Sequence, residues 1–305
     1  MSFGEAFLNS PDLFPARQTG ETWGDERVVI CFAGNDYICC GLSATQAAAV
    51  RERFAELCVP SPGERRPAVE IRIFRAADED FIEDERVWEF DFDLDYAPEA
   101  VSFAGFRFMG RLDWAPRLQA ALWSSEDGRL VSHAIFENVL RVVVAYHLLE
   151  QGGVLLHSAA LGDEGGAHVF FGPSGAGKST ISRLGFETGR AVLSDDMNAL
   201  RPMADGVVVE KLPFAGDFGH TIKSAGVQFL VRDLYLLEKG SVPAVRSLRP
   251  AQAVAALLGC APFVNRNPYR FDELVQKLQE LNAQLPVRVL TFAPDTCPWD
   301  LLRGF

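Results

Sequence analysis

Apolar positions recur with two different periods along the chain. The first part reads as strands with one good helix. Residues 43–58 open with Ser43 and Gln46 at capping-box spacing and then place Ala47, Val50, Phe54 and Leu57 on one face, which predicts a helix. From Val69 onward the period becomes two. It is clearest in VWEFDFDLDY, where Trp88, Phe90, Phe92, Leu94 and Tyr96 alternate with Glu89, Asp91, Asp93 and Asp95. That pattern predicts a strand with one wet, acidic face; the face is either ordinary solvated surface or a lure for a basic peptide. Residues 101–112 and 117–124 continue in the same style around Pro116, and the polar cluster SSEDGR at 124–129 is the expected domain boundary.

Beyond that boundary, residues 132–151 are apolar on nearly all sides through Ile135, Phe136, Val139, Leu140, Val142, Val143, Leu148 and Leu149, which suits a helix packed between layers or domains. Gly152 and Gly153 end it. Two short apolar runs, VLLH and HVFFG, lead to a glycine-rich loop, a helix over about 177–188 closed by Gly189, and the run AVLS ending in Asp195 and Asp196. Strand, loop, helix and strand in this order predict an α/β nucleotide-binding core. VQFLVRDLYLLEKG reads as a further strand, 250–258 as a helix with Pro250 near its start, and 268–282 as a helix carrying Phe271, Leu274, Val275, Leu278 and Leu281 on one face. LPVRVLTF is the last predicted strand. The expectation is therefore a smaller α+β domain over residues 1–128, a candidate for substrate or partner recognition, followed by a nucleotide-binding α/β domain over 129–305.

A length of 305 residues agrees with two domains, and 48% hydrophobic with 23% charged residues is the balance of a folded globular chain. The 29 Lys and Arg against 41 Asp and Glu leave a net charge of -12, which argues against a general nucleic-acid or anionic-membrane surface. Cys31, Cys39, Cys40, Cys58, Cys260 and Cys297 form no C-x-x-C, and no secretory signal precedes them, so a reducing cytoplasm is expected. The most apolar stretch, 134–149, is interrupted by Glu137, Asn138, Arg141 and His147 and is too short for a bilayer, so no membrane association is expected.

The stretch FGPSGAGKST, 171–180, matches G-x-x-x-x-G-K-[ST] at Gly172, Gly177, Lys178 and Ser179. Phosphate oxygens need several donors at once, and a glycine loop can aim successive backbone N–H groups inward at a helix N-terminus. Gly172, Pro173, Ser174, Gly175, Ala176, Gly177, Lys178, Ser179 and Thr180 are thus the candidate nucleotide-binding residues, with Lys178 on the β- and γ-phosphates and Ser179 on Mg²⁺. The bland reading is a glycine-rich turn before an ordinary helix. Asp195 and Asp196 end the strand that follows the loop's helix, and in a parallel sheet that end gathers on the ligand side. One carboxylate would bind Mg²⁺ and the other accept a proton from an incoming hydroxyl; alternatively the pair is a surface turn. His157 follows VLL at an expected strand end, where it is either a partner of the catalytic carboxylate or a satisfied core histidine. His133, His147, His168 and His220 show no ligand spacing, and no zinc site is expected.

GGVLLHSAAL, FFGPSGAGKST and AVLSDDM together resemble the catalytic domain of HPr kinase/phosphorylase and, more closely, the HPr-kinase-related proteins of bacteria. The resemblance runs from about residue 132 to the C-terminus and includes KLPFAGDFG and DLYLLEKG. It implies a P-loop core similar to that of phosphoenolpyruvate carboxykinase, with ATP and Mg²⁺ as cofactors. It further implies Asp195 as the acid/base residue, His157 as its partner, Lys178 on the phosphates and Asp196 with Ser179 in the metal shell; a homo-oligomer is implied in the same way. Two features depart from the bifunctional enzymes: Thr180 stands where they carry glutamate, and their E-I-R-G-x-G loop has no clear counterpart, so phosphorylase chemistry and HPr itself are not part of the expectation.

The leading expectation is a kinase moving the γ-phosphoryl group to a hydroxyl, in the first place a serine of a protein or peptide. The alternatives are a non-catalytic nucleotide-binding regulatory module and a kinase of a small hydroxylated metabolite. A carboxylate pair favours the enzymes, since a sensor needs no proton acceptor.

Overall fold

The computed structural model describes residues 20–64, 67–81, 92–105, 107–128, 135–214, 216, 227–294 and 298–302. The chain divides into two units, Met1–His147 and Leu148–Phe305. It is a mixed α/β protein with one large mixed sheet in each unit and few helices.

In the first unit β1 (Glu26–Phe32) and β2 (Asn35–Leu42) form a hairpin, and α1 (Ala44–Arg53) leads through β3 (Cys58–Val59) to β4 (Ala68–Arg75). The antiparallel meander β5 (Phe92–Ala97), β6 (Ala100–Gly105), β7 (Phe108–Asp113) and β8 (Gln119–Ser124) completes a sheet of order β3-β1-β2-β4-β8-β7-β6-β5, in which β2, β4 and β8 run parallel. The predicted capping box is present: Gln46 N–H donates to Ser43 Oγ and Ser43 N–H to Gln46 Oε1, each at 3.1 Å. The helix is shorter than its periodicity suggested. Residues 55–57 tighten into a 3-10 turn, and Cys58 and Val59 pair with β1 instead. Along β5 the expected alternation holds where it is described, with Asp93 and Asp95 exposed and Leu94 and Tyr96 half-buried. Trp88, Glu89, Phe90 and Asp91 lie outside the described residues, as do Ser132, His133, His220 and Cys297.

The apolar helix predicted over 132–151 is α2 (Phe136–Glu150). Its side chains as far as His147 belong to the first unit: Glu137 bridges Arg53 at 2.8 Å and Arg141 at 3.1 Å, Trp114 stacks on Tyr146 at 5.4 Å, and Tyr37 meets the His147 ring edge-on at 5.7 Å. Those contacts carry the helix with the first sheet, so the division falls after His147 and the 124–129 turn lies within the first unit.

The second unit contains β9 (Val154–Asp163), β10 (Gly166–Phe171), α3 (Lys178–Glu187), β11 (Ala191–Ser194), β12 (Met197–Met203), β13 (Gly206–Lys211), β14 (Gln228–Lys239), β15 (Ala244–Ser247), α4 (Pro250–Gly259), α5 (Phe271–Gln284), β16 (Val287–Phe292) and α6 (Trp299–Leu302). Its strands follow the order β10-β9-β12-β13-β14-β16-β15, with β11 added to β9 and a second pairing of β10 with β14. The sheet is mixed, which corrects the parallel arrangement expected around the aspartates. β10 pairs antiparallel with β9 and parallel with β14, because the short 164–165 connection allows only a hairpin whereas the long route to β14 allows a crossover. Ile181 and Leu184 of α3 pack on Ala159, Leu161, Phe170, Tyr235 and Trp299. Truncating the fully buried Ile181 to alanine would cost about 2–5 kcal/mol. Among the described residues no helix is long and apolar enough to cross a membrane.

Candidate nucleotide site

β10 ends at Phe171, in register with Ser158 of β9, and the chain then winds through the glycine loop into α3. Ala176 N–H donates to Pro173 O at 3.1 Å and closes the turn. Gly177 starts the helix at φ 112°, where a β-carbon is strained and would also lie 2.9 Å from the Phe292 ring. A glycine there leaves the first amides of α3 without a side-chain cap, so they face whatever fills the loop.

On the other edge of β9, β11 and β12 continue one another in the antiparallel sense: Ser194 is in register with Ala160, and Met197 with His157. Asp195 and Asp196 bend between the two strands without breaking that register; the irregularity of β11 lies between Val192 and Ser194. Ser194 Oγ accepts the Asp196 N–H at 3.1 Å and the Met197 N–H at 3.3 Å, and Asp196 O accepts the Ser158 N–H at 2.9 Å. β10 and β11 are therefore parallel to each other with β9 running oppositely between them. Their ends coincide, as the sequence suggested, but through an intervening strand. That strand supplies His157 from its interior, which replaces the expected strand end.

His157, Ser174, Gly175, Gly177, Lys178, Ser179, Thr180, Asp195, Asp196 and Gly216 line one cavity of about 480 Å³. Three residues of the expected set stay off its wall: Gly172 is buried behind it, Pro173 faces solvent, and Ala176 turns into the core beneath α3. A larger cavity of about 660 Å³ between α4 and α5, lined by residues such as Leu248, Pro250, Val254 and Pro286, carries no ionisable side chain among its described lining. The chemistry lies at the smaller one.

Lys178 is only 8% exposed and donates from Nζ to Gly172 O at 3.2 Å. Burial lowers its pKa below the usual lysine value, while Cys260, Asp196 and Asp195 nearby push it back up. His157 Nε2 lies 3.6 Å from Asp196 Oδ1, the two side chains being 41% and 23% exposed. Asp195 is buried to 5% and is covered by Gly216, where a β-carbon would overlap Asp195 Oδ1 and come 3.0 Å from Asp196 Cβ. One carboxylate is thus sheltered and the other open. The resemblance had paired His157 with Asp195; the ion-pair contact described is with Asp196.

Two residues of the site escaped the sequence reading. Gly216 belongs to the KLPFAGDFG stretch, whose pattern alone gives it no role. Cys260 follows α4 and carried no signal at all, yet its carbonyl accepts the His157 N–H at 2.7 Å. Burial raises the Cys260 thiol pKa, with the Gly172 amide and Lys178 pulling it down. Of the other histidines, His168 pairs with Asp233 at 3.2 Å away from the cavity, and His147 lies in the first unit.

The donor set fits a nucleotide polyphosphate: uncapped amides, one buried amine, and the hydroxyl-bearing Ser179 and Thr180 opposite two carboxylates. Among the described residues no group of three or more His, Cys, Asp or Glu is placed to hold a metal ion by itself. Ser179 and Asp196 can share a Mg²⁺ ion, which takes its remaining ligands from phosphate and water. No protein-family model matches the chain, and neither does any curated protein.

Proposed function

We propose that the second unit is the catalytic part of an ATP-dependent, HPr-kinase-related kinase that transfers the γ-phosphoryl group to a hydroxyl, in the first place a serine of a protein or peptide. The observation that carries this reading is the convergence of Lys178, Ser179, His157, Asp195 and Asp196 on a single cavity. Mg-ATP, when bound, supplies the transferable group and neutralises part of its charge. The loop amides and Lys178 hold the β- and γ-phosphates, and an anion arriving beside the buried amine restores its preference for the charged form. Ser179 and Asp196 hold the metal. Asp195, sheltered from water, accepts the proton of the incoming hydroxyl as the new O–P bond forms and the bond to the leaving diphosphate breaks.

The test is incubation of the purified protein with γ-labelled Mg-ATP and a lysate of its host. Label in a protein band, lost in Lys178→Ala, supports the proposal. Label confined to small molecules would make it a metabolite kinase. Binding without transfer would make the unit a nucleotide sensor, and failure to bind Mg-ATP would overturn the site.

A further inference from the structure

A polar side chain in a sheet core costs stability unless its hydrogen bonds are met. Asn198 of β12 is 0% exposed and follows Met197, the residue in register with His157. Its Nδ2 donates twice into β9, to Ser158 O at 2.7 Å and Ser158 Oγ at 3.0 Å. The amide orientation follows from chemistry, since a carbonyl oxygen can only accept. Ser158 in turn donates its Oγ–H to Leu156 O at 3.2 Å and its N–H to Asp196 O at 2.9 Å. Among the described residues Asn198 Oδ1 meets no hydrogen-bond donor.

An amide placed for two donations and left, among the described residues, with an idle buried acceptor carries a stability cost. What the amide does is grip the β9 residue whose N–H is bonded to Asp196 O. Ser194 Oγ holds the same bend through the Asp196 and Met197 amides. We propose that Asn198 is a positioning residue for the Asp195–Asp196 pair: by fixing Ser158 it sets where the bend carrying the two carboxylates stands relative to His157 and Lys178. Its consequence for turnover rests on the kinase reading, whereas the clamp is a property of the free protein.

Asn198→Leu, which keeps the branched shape in a larger side chain, and Asn198→Ala, in case leucine overpacks the site, are compared with wild type in two measurements. The first is amide hydrogen exchange of the free protein by NMR. Exchange at Ser158, Asp196 and Met197 should quicken at least tenfold while Val169 and Leu200 hold their rates; an unchanged Ser158, or a uniform rise along the sheet, overturns the clamp. The second is transfer across a Mg²⁺ titration. Loss of support behind a metal-binding carboxylate should raise the half-saturating Mg²⁺ and lower kcat by about 10–100-fold, with Mg²⁺-free ATP affinity within about twofold. Ser158→Ala, which keeps the stronger carbonyl link, should change kcat less than about threefold and restore nothing when combined with Asn198→Leu. Wild-type kcat and Mg²⁺ dependence in the Asn198 variants would overturn the positioning role. If the wild type itself neither binds nor transfers, the kinase reading fails while the exchange rates still decide the clamp.

Discussion

His157 Nε2 and Asp196 Oδ1 stand 3.6 Å apart on the wall of the cavity, joining β9 to the more open of the two carboxylates. At that separation the interaction is electrostatic, longer than a hydrogen bond. A histidine acting through Asp196 bears on the metal, and one acting through Asp195 bears on proton transfer. Single-turnover rates of His157→Ala, Asp196→Asn and the double variant separate these roles. The pairing predicts a double loss smaller than the sum, with a coupling of about 0.5–3 kcal/mol, and additive behaviour of His157→Ala with Asp195→Asn. Additivity at His157 and Asp196 with coupling at Asp195 would return the histidine to the role that the resemblance implied.

Asp195→Asn keeps the shape of the side chain and removes its capacity to take a proton. Transfer should fall by roughly two to four orders of magnitude with ATP affinity nearly unchanged. A variant that turned over at the wild-type rate would take Asp195 out of the chemistry.

Lys178→Met should abolish tight ATP binding, read by calorimetry, because it removes the one amine among the cavity's described lining. The free protein should respond in the opposite direction. Burial holds the folded pKa of Lys178 below its unfolded value, so the unfolded chain binds the extra proton between the two values and stability rises with pH through that window. The methionine variant should melt a few degrees higher near neutral pH and lose that part of the rise. A lower melting temperature across the whole range would mean that the amine is stabilising as it stands.

Gly216→Ala introduces a methyl group into the space occupied by Asp195 Oδ1. Overpacking of this kind costs about 1–3 kcal/mol, and here it displaces the sheltered carboxylate. Turnover should drop tenfold or more with a much smaller change in ATP affinity; equal losses in both would place Gly216 at the nucleotide instead of the acid/base residue.

His147, buried in α2, has its pKa lowered to about 4 by burial. Between that value and the unfolded one near 6.5 the unfolded chain takes up a proton that the folded chain refuses, so acidification through this window removes stability, up to about 3 kcal/mol. Melting temperatures of wild type and His147→Phe from pH 7 to pH 4 should diverge, the variant falling less steeply. Parallel curves would exclude this histidine from the acid response.

Local signals were legible where the chemistry is contiguous in sequence. The capping box at Ser43 and Gln46, the glycine loop before α3, the proline start of α4 and the apolar face of α5 all follow from short local patterns. Strand partners were not legible, because alternation states that a residue lies in a strand and is silent on its neighbour. That is why β9 came as a surprise between β10 and β11, and why His157 was expected at a strand end. Cys260 and Gly216 enter through backbone proximity, one by a carbonyl and the other by lacking a side chain, and neither leaves a periodic trace.

The hairpin at residues 164–165 has a bearing on how the molecule assembles. His157, the glycine loop, Lys178 and the two aspartates all fall within the unbroken span from β9 to β12, and the pairings that bring them together close loops of only a few to a few tens of residues. Loop closure on that scale is entropically light compared with the return of β14 to β10. During folding the charged groups should therefore meet before β14 and β16 extend the sheet around them, so that a nascent chain reaching β12 already carries the whole carboxylate–lysine arrangement in one piece.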